Sequence, residues 1–264
     1  MISQDEFAAL AAQGHNRIAL VREVLSDLDT PLSVYLKFAD GPYTYLLESV
    51  EGGENWGRYS IIGLPCRRVF KLFGARLVVE DYGAVVEQRE LADPLGEIER
   101  LRGAYRVPAL PDLPEFSGGL VGYFGFESIA YIEPRLAHDA KPDRLGTPDV
   151  LLMLSEEVAV FDNLKGRLYL IVHADPAQPQ AYARAQRRLD ELTFRLRRAG
   201  TGYPDVLDPR ALAETDFVSS FTREEYEAMV EKAKAYIRAG DIFQVVPSQR
   251  LSVPFRARPV DVYR

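Results

Sequence analysis

Residues 67–91 read RRVFKLFGARLVVEDYGAVVEQREL, and the way this stretch is cut decides the fold. Gly74 and Gly83 divide it into three short runs rich in Val, Leu and Phe. Strand-length runs punctuated by glycine predict an antiparallel meander. Upstream, residues 45–63, YLLESVEGGENWGRYSIIG, read as a strand, a polar Gly-rich turn and a second strand. RIALVREVL, from Arg17 to Leu25, predicts another strand. Two helices flank it. Ser3 with Glu6 forms a capping-box pattern before Phe7 and Leu10, and Gly14 is the stop. Thr30-Pro31 opens the second, with Leu32, Tyr35, Leu36 and Ala39 at helical spacing.

Downstream, Asp93-Pro94 starts a helix that runs through Arg102, and the Pro-rich connection VPALPDLPEF follows. Strands are expected at Asp149–Phe161 and Arg167–Ala174, joined by the turn DNLKG at 162–166. A long helix is expected from Pro179 to Arg198, stopping at Gly200. Residues 201–221 show little apolar periodicity and read as a linker between a first domain, 1–200, and a second, 222–264. The second opens on another capping box, Thr222 with Glu225. Its helix carries Tyr226, Met229, Val230, Ala233 and Ile237 on one face and ends at Gly240. Asp241–Phe255 reads as a strand interrupted at Pro247, and a further helix begins at Pro259. Many strands with intervening helices and no repeated βαβ unit give an α+β class with mainly antiparallel sheet. A second domain of so few residues is below the size that usually folds alone.

The 264-residue chain is 47% apolar and 27% charged, the balance of a soluble protein. Its net charge of −7 argues against a nucleic-acid partner. No apolar run reaches the roughly 18 residues of a membrane span, so none is expected. MISQDEFAALAAQG lacks the basic-then-apolar order of a signal peptide. Cys66 is the single cysteine, which rules out an internal disulfide and fits a reducing cytoplasm. It reads as a buried structural thiol. His15, His138 and His173 share no metal-ligand spacing and read as structural or surface residues.

Three stretches carry polar groups inside β-rich sequence. In YLLESV, period-two alternation puts Tyr45, Leu47 and Ser49 on one face and Leu46, Glu48 and Val50 on the other. Glu48 and Ser49 serve one ligand where the strand ends or bulges, or where one of them contributes backbone atoms. A small zwitterion needs such a mixture, a carboxylate for its ammonium and donors for its carboxylate, and Arg58 just past the turn is a candidate donor. The bland alternative makes Glu48 a solvated strand-end residue paired with Arg58 or Arg68, Ser49 a turn residue and Trp56 a packing residue. The second stretch, FSGGLVGYFGFESIAYIEP (116–134), does not satisfy G-x-G-x-x-G and lacks a strand–turn–helix context. It reads as an interior strand whose glycines let another element cross closely. In the third, AGDIFQVVPSQRLSVPF (239–255), Gln244, Ser248, Gln249 and Arg250 line a polar cleft or the solvated face of an edge strand.

Taken together, LLESVEGGENWGRYSIIG, GGLVGYFGFES and AGDIFQVVPSQR resemble component I of anthranilate synthase, within the chorismate-utilising enzymes, in order and approximate spacing. The resemblance spans essentially the whole chain but only the N-terminal half of such enzymes. It implies layers of antiparallel sheet with helices outside. The first domain would be a regulatory, tryptophan-binding unit, and 222–264 the incomplete beginning of a chorismate-binding catalytic domain. The implied activity converts chorismate and ammonia to anthranilate and pyruvate, the first step of tryptophan biosynthesis, in the cytoplasm. The implied cofactor is Mg²⁺, the implied partner a glutamine amidotransferase subunit, and the implied inhibitor L-tryptophan. Ser49, Glu48 and Arg58 map to the tryptophan site. Catalytic residues and Mg²⁺ ligands are expected in the missing C-terminal half, so the chain alone is expected to be inactive. Aminodeoxychorismate synthase component I is the sister reading, and a stand-alone amino-acid-binding module the reading from another class.

Overall fold

The computed structural model describes residues 2–38, 41–48, 57–111, 113–137, 143, 145–198, 212–255 and 257–264. Two compact units are present, Met1–Thr201 and Gly202–Arg264.

Among the described residues the first unit contains ten strands: β1 (Ile18–Leu25), β2 (Tyr45–Leu47), β3 (Tyr59–Gly63), β4 (Arg68–Phe73), β5 (Arg76–Asp81), β6 (Ala84–Glu90), β7 (Gly119–Phe124), β8 (Val150–Ser155), β9 (Glu157–Asp162) and β10 (Arg167–Ala174). They form two five-stranded sheets, ordered β1-β10-β9-β3-β2 and β6-β5-β4-β8-β7, with every neighbouring pair antiparallel. The expected meander is β4-β5-β6. Its second turn is Tyr82-Gly83, both at positive φ (50° and 78°), as a two-residue hairpin loop matched to strand twist requires.

Four α-helices of this unit lie among the described residues: α1 (Gln4–Ala12), α2 (Pro31–Phe38), α3 (Pro94–Gly103) and α4 (Ala181–Arg197). The capping box of α1 is formed, with Glu6 N donating to Ser3 Oγ at 3.2 Å and Ser3 N to Glu6 Oε2 at 2.6 Å. α2 begins on Pro31, and Ser33 N donates to Thr30 Oγ1 at 3.1 Å. The side chain of Asp93 caps α3 by accepting from Gly96 N at 2.9 Å. Along α4, Ala185, Leu189, Leu192 and Leu196 form the buried stripe of an amphipathic helix. That stripe packs with Phe7 of α1, Val34 and Phe38 of α2, and Ile18, Leu20, Leu168, Leu170, Ile62 and Phe161 from the first sheet. The second sheet has its own core, Phe70, Leu72, Leu77, Val79, Val150, Leu152 and Leu154, with Ile98 and Leu101 of α3 packed against it. The opposite face of the first sheet, Ala19, Val158, Val160, Tyr169 and Ile171, is covered by Leu110, Leu113 and Phe116 of the Pro-rich connection. Antiparallel sheet with helices on one face is the expected α+β architecture.

Two expectations are corrected. The stretch Asp149–Phe161 is two strands, not one. β8 ends at Ser155 in the second sheet, Glu156 turns the chain, and β9 continues in the first sheet. The segment from β3 to β4 makes the same passage through residues 64–67. Two lengths of chain therefore each supply one strand to each sheet. The glycine-rich stretch forms β7 at the edge of its sheet, paired only with β8, and then winds into 3-10 turns at Phe126–Tyr131 and Pro134–Ala137. Its glycines do permit close approach: a Cβ on Gly122 would overlap the Leu151 carbonyl of β8.

Cys66 is buried, and burial pushes its thiol up to about 11, which keeps it inert. His173 Nε2 donates to the Ser117 carbonyl oxygen at 2.8 Å, tying the Pro-rich connection to β10. Both behave as structural residues. His138 and Trp56 lie outside the described residues.

The second unit contains α5 (Arg223–Ala239), the strand pair β11 (Val218–Ser219) and β12 (Leu251–Ser252), and the short α6 (Pro259–Tyr263). Its capping box is formed, Glu225 N donating to Thr222 Oγ1 at 3.2 Å and Thr222 N to Glu225 Oε2 at 2.8 Å, and α5 stops on Gly240 at φ 82°. The strand expected over 241–255 is reduced to β12. It pairs inside the segment read as linker, because Val218 and Ser219 supply its only partner among the described residues. Gln244, Ser248, Gln249 and Arg250 are exposed. Ser219 Oγ donates to Gln249 Oε1 at 2.9 Å, and Arg250 N to Ser220 Oγ at 3.0 Å.

Candidate functional site

Glu48 leaves β2 at the outer edge of the first sheet. The ladder pairs Tyr45 with Gly63, Leu46 with Ile62 and Leu47 with Ile61. Because the strands are antiparallel, the end of β2 and the start of β3 lie together, and Arg58 immediately precedes β3. Glu48 and Arg58 thus occupy the same end of one ladder. Ser49 lies outside the described residues, as does the remainder of the turn through Trp56. The regular strand stops at Leu47, the condition under which adjacent side chains escape strict alternation.

β2 is fixed from its inner side. The Tyr45 hydroxyl is 2.7 Å from Ser155 Oγ, where β8 ends, and burial pushes the phenol up to about 12. Tyr43, two residues earlier, donates to Glu80 Oε2 at 2.8 Å.

Arg58 is held by a residue that sequence reasoning took only as part of a turn. Asp162 is 1% exposed and receives Arg58 Nη2 at 2.6 Å and Nε at 3.1 Å. Its Oδ1 also accepts the backbone N–H groups of Leu164 (3.2 Å) and Lys165 (3.1 Å). Burial pushes the Asp162 carboxyl up, but the guanidinium and the two N–H groups more than offset it and hold it below the usual carboxylate range. The hydrogen bond to Asp162 raises Arg58 in turn. The side chain of Asn163 reinforces the grip through Ser60 Oγ at 3.2 Å and the Gly57 carbonyl at 3.3 Å. An Asp whose carboxylate accepts N–H groups two and three residues on is an Asx-type turn, and DNLKG carries that signature. The partner 104 residues away has no local sign. Arg68, the other partner considered for Glu48, reaches Asp81 at 3.1 Å.

Two concavities lie elsewhere in this unit. One of about 440 Å³ runs between the first half of α4 and the Glu156 turn; Arg17 and Arg188 in its wall are paired to Glu156 and Glu157. The other, about 230 Å³, is lined by Tyr105, Ser117, Gly118 and His173. Neither includes Glu48 or Arg58, whose connecting turn lies outside the described residues. Among the described residues no group of three His, Cys, Asp or Glu side chains could hold a metal ion. No helix is long and apolar enough to cross a membrane among the described residues.

A family model described as chorismate binding enzyme matches residues 51–264. The chain belongs to the chorismate-binding enzyme family. Within that family it is 52% identical over its full length to anthranilate synthase component 1 of Pseudomonas aeruginosa, covering 54% of that protein. It is 52% identical to the protein of the same name from Neisseria meningitidis and 36% identical to that of Aquifex aeolicus, covering 53% of each. The chain spans about half the length of the curated relatives it matches. The crystal structure of anthranilate synthase component I from Streptococcus pneumoniae shares the fold, with a TM-score of 0.61, 27% identity, and coverage of 91% of this chain and 51% of that one.

Proposed function

We propose that this chain is the regulatory and chorismate-domain-initiating part of an anthranilate synthase large subunit. The observation that carries the reading is the full-length similarity, at about half identity, to proteins named anthranilate synthase component 1. The whole protein would take chorismate and ammonia, the latter delivered by a glutamine amidotransferase subunit, to anthranilate, pyruvate and water. The relatives' name favours this over the aminodeoxychorismate reading. Mg²⁺ belongs to that whole-protein reaction, as does residence in the cytoplasm.

On this reading the end of the β2–β3 ladder is where L-tryptophan binds and exerts feedback. Glu48 takes its ammonium, and Ser49 and Arg58 its carboxylate. A carboxylate and a guanidinium at one strand end suit a zwitterion better than an ion of either sign. On the same reading the present chain is inactive alone.

Calorimetric titration with L-tryptophan tests the site. Saturable binding is expected, and Ser49→Phe abolishes it; unchanged binding in that variant rejects the assignment. An assay with chorismate, ammonium and Mg²⁺ should detect no anthranilate from this chain. Pyruvate release at an enzymatic rate rejects the inactivity.

A further inference from the structure

The concavity of about 440 Å³ between α4 and the Glu156 turn has a wall whose charges do not cancel. Four carboxylates face it, and two arginines hold all of them. Arg17 pairs with Glu156 at 2.6 Å and with Asp175 at 3.3 Å. Arg188 pairs with Glu157 at 2.8 Å and with Glu191 at 3.1 Å. Arg67 is taken by Asp81 at 2.7 Å. Arg184 and Arg187 remain in the same wall. Both are exposed, and neither has an acidic partner among the described residues.

Helix stability does not account for this pair. Residues three apart on a helix are neighbours, with about 5–6 Å between their Cβ atoms, so two like charges there repel. The first two turns of α4 carry Arg184, Arg187 and Arg188 and no acid before Asp190, the reverse of the order that the helix dipole favours. A local rule broken without a local gain marks a place where function sets the residue. Two guanidinium forks one turn apart converge on a single group. A phosphate monoester gathers close to two negative charges and three strong acceptor oxygens in one place, and arginine matches that geometry. A dicarboxylate spreads the same charge over two groups.

The rest of the wall describes the body of the ligand. It holds no Phe, Tyr or Trp ring, and its largest apolar side chain is Val172, so it offers little to an apolar body. An ionised carboxylate has about four acceptor sites. Glu156 and Asp175 therefore keep acceptors for hydroxyl groups after pairing with Arg17, and Gln178 adds an amide. The volume is in the range of small-molecule sites. We propose that this concavity binds a small, hydroxyl-rich phosphate monoester, with Arg184 and Arg187 on the phosphate and the Glu156–Asp175 side accepting from the hydroxyls. Every residue of this site lies among the described residues of the first unit, and none belongs to the β2–β3 ladder, so the proposal is independent of the amino-acid reading.

Calorimetric titration of the 264-residue chain with ribose 5-phosphate and with glucose 6-phosphate tests it, beside ribose, inorganic phosphate and L-malate, in a chloride buffer. At least one sugar phosphate is expected to bind saturably with a dissociation constant below about 1 mM. Ribose, inorganic phosphate and L-malate should each bind at least about tenfold more weakly. Arg184→Gln and Arg187→Gln should each weaken the sugar phosphate by at least about tenfold, the size of one charge-assisted hydrogen bond. Arg197→Gln removes an exposed arginine from the last turn of the same helix, outside the concavity, and should leave binding unchanged. Thermal melting checks the folding of each variant, and either concavity variant carries the test if the other fails to fold. No saturable binding of either sugar phosphate, equal binding of L-malate, or a loss in Arg197→Gln as large as in the other two overturns the phosphate assignment. Inorganic phosphate binding as tightly as the sugar phosphates overturns the hydroxyl-rich body.

Discussion

The two units are built from the same kinds of local signal and end with opposite interiors. In Met1–Thr201, α4 lays Ala185, Leu189, Leu192 and Leu196 onto a sheet, and all four are buried. In Gly202–Arg264, α5 has an equally regular stripe of Tyr226, Met229, Val230, Ala233 and Ile237, yet no described residue of that unit is buried. α5 has the better start and stop, a complete capping box and a left-handed glycine. α4 begins after Gln180, which has φ 52° and no side-chain cap bond. Caps decide where a helix begins and ends; burial of its stripe supplies most of its stability.

Core truncation should break this comparison most visibly. Leu170→Ala removes a fully buried side chain from the sheet under α4 and is expected to cost about 2–5 kcal/mol in denaturant unfolding. Ile237→Ala on α5, where the side chain is 44% exposed, should change stability by less than about 0.5 kcal/mol. Similar losses from both would mean that the α5 stripe is buried in solution.

Acid should separate the units next. Burial lowers His173 below the ordinary histidine value of 6.5, so the folded first unit favours the neutral ring. The charged neighbours facing it are Glu156, which opposes that shift, and Arg17, which adds to it. With the folded value below the unfolded one, the contribution to stability is full above about pH 6.5 and is lost as pH falls through the folded value. The slope for one such group is at most about 1.4 kcal/mol per pH unit. All three histidines lie in the first unit, so α5 should show no matching loss above pH 5. Hydrogen exchange followed from pH 7 to pH 5 checks both parts, and His173→Gln should flatten the first-unit response.

The cap of α5 should contribute less than the buried core. Thr222→Ala removes the acceptor for Glu225 N and should destabilise α5 by about 1 kcal/mol, read as faster exchange in its first turn. With little burial to hold the helix, that loss should spread beyond the first turn; confinement to Glu224 and Glu225 would indicate packing not seen in this unit.

What could be read from the sequence follows the range of the interaction responsible. The capping boxes at Ser3 and Thr222, the meander around Gly74 and Gly83 and the stop at Gly240 are contacts within a few residues, and each has a local signature. The break between β8 and β9 has none. Both strands are buried on nearly every residue, so apolar sequence runs through Glu156 without the alternation that would show a change of sheet. Edge placement of β7 was hidden for a related reason, since strand order depends on which partners arrive and not on the strand's own residues. At the candidate site, the polar interruption at Glu48 and the nearby Arg58 stood out in sequence. Asp162 did not, because its role arises only when 58 and 162 are brought together.

The pairing of β1 with β10 sets a timetable for synthesis. Leu25 waits for Arg167 and Ile18 for Ala174. At typical ribosomal speeds of 5–20 residues per second, those roughly 150 intervening residues amount to about 7–30 s. Through that interval an apolar ribbon near the amino terminus has emerged without its mate. A nascent chain arranged this way has strong reason to be met by a chaperone, and a slow codon before residue 167 would lengthen the exposure.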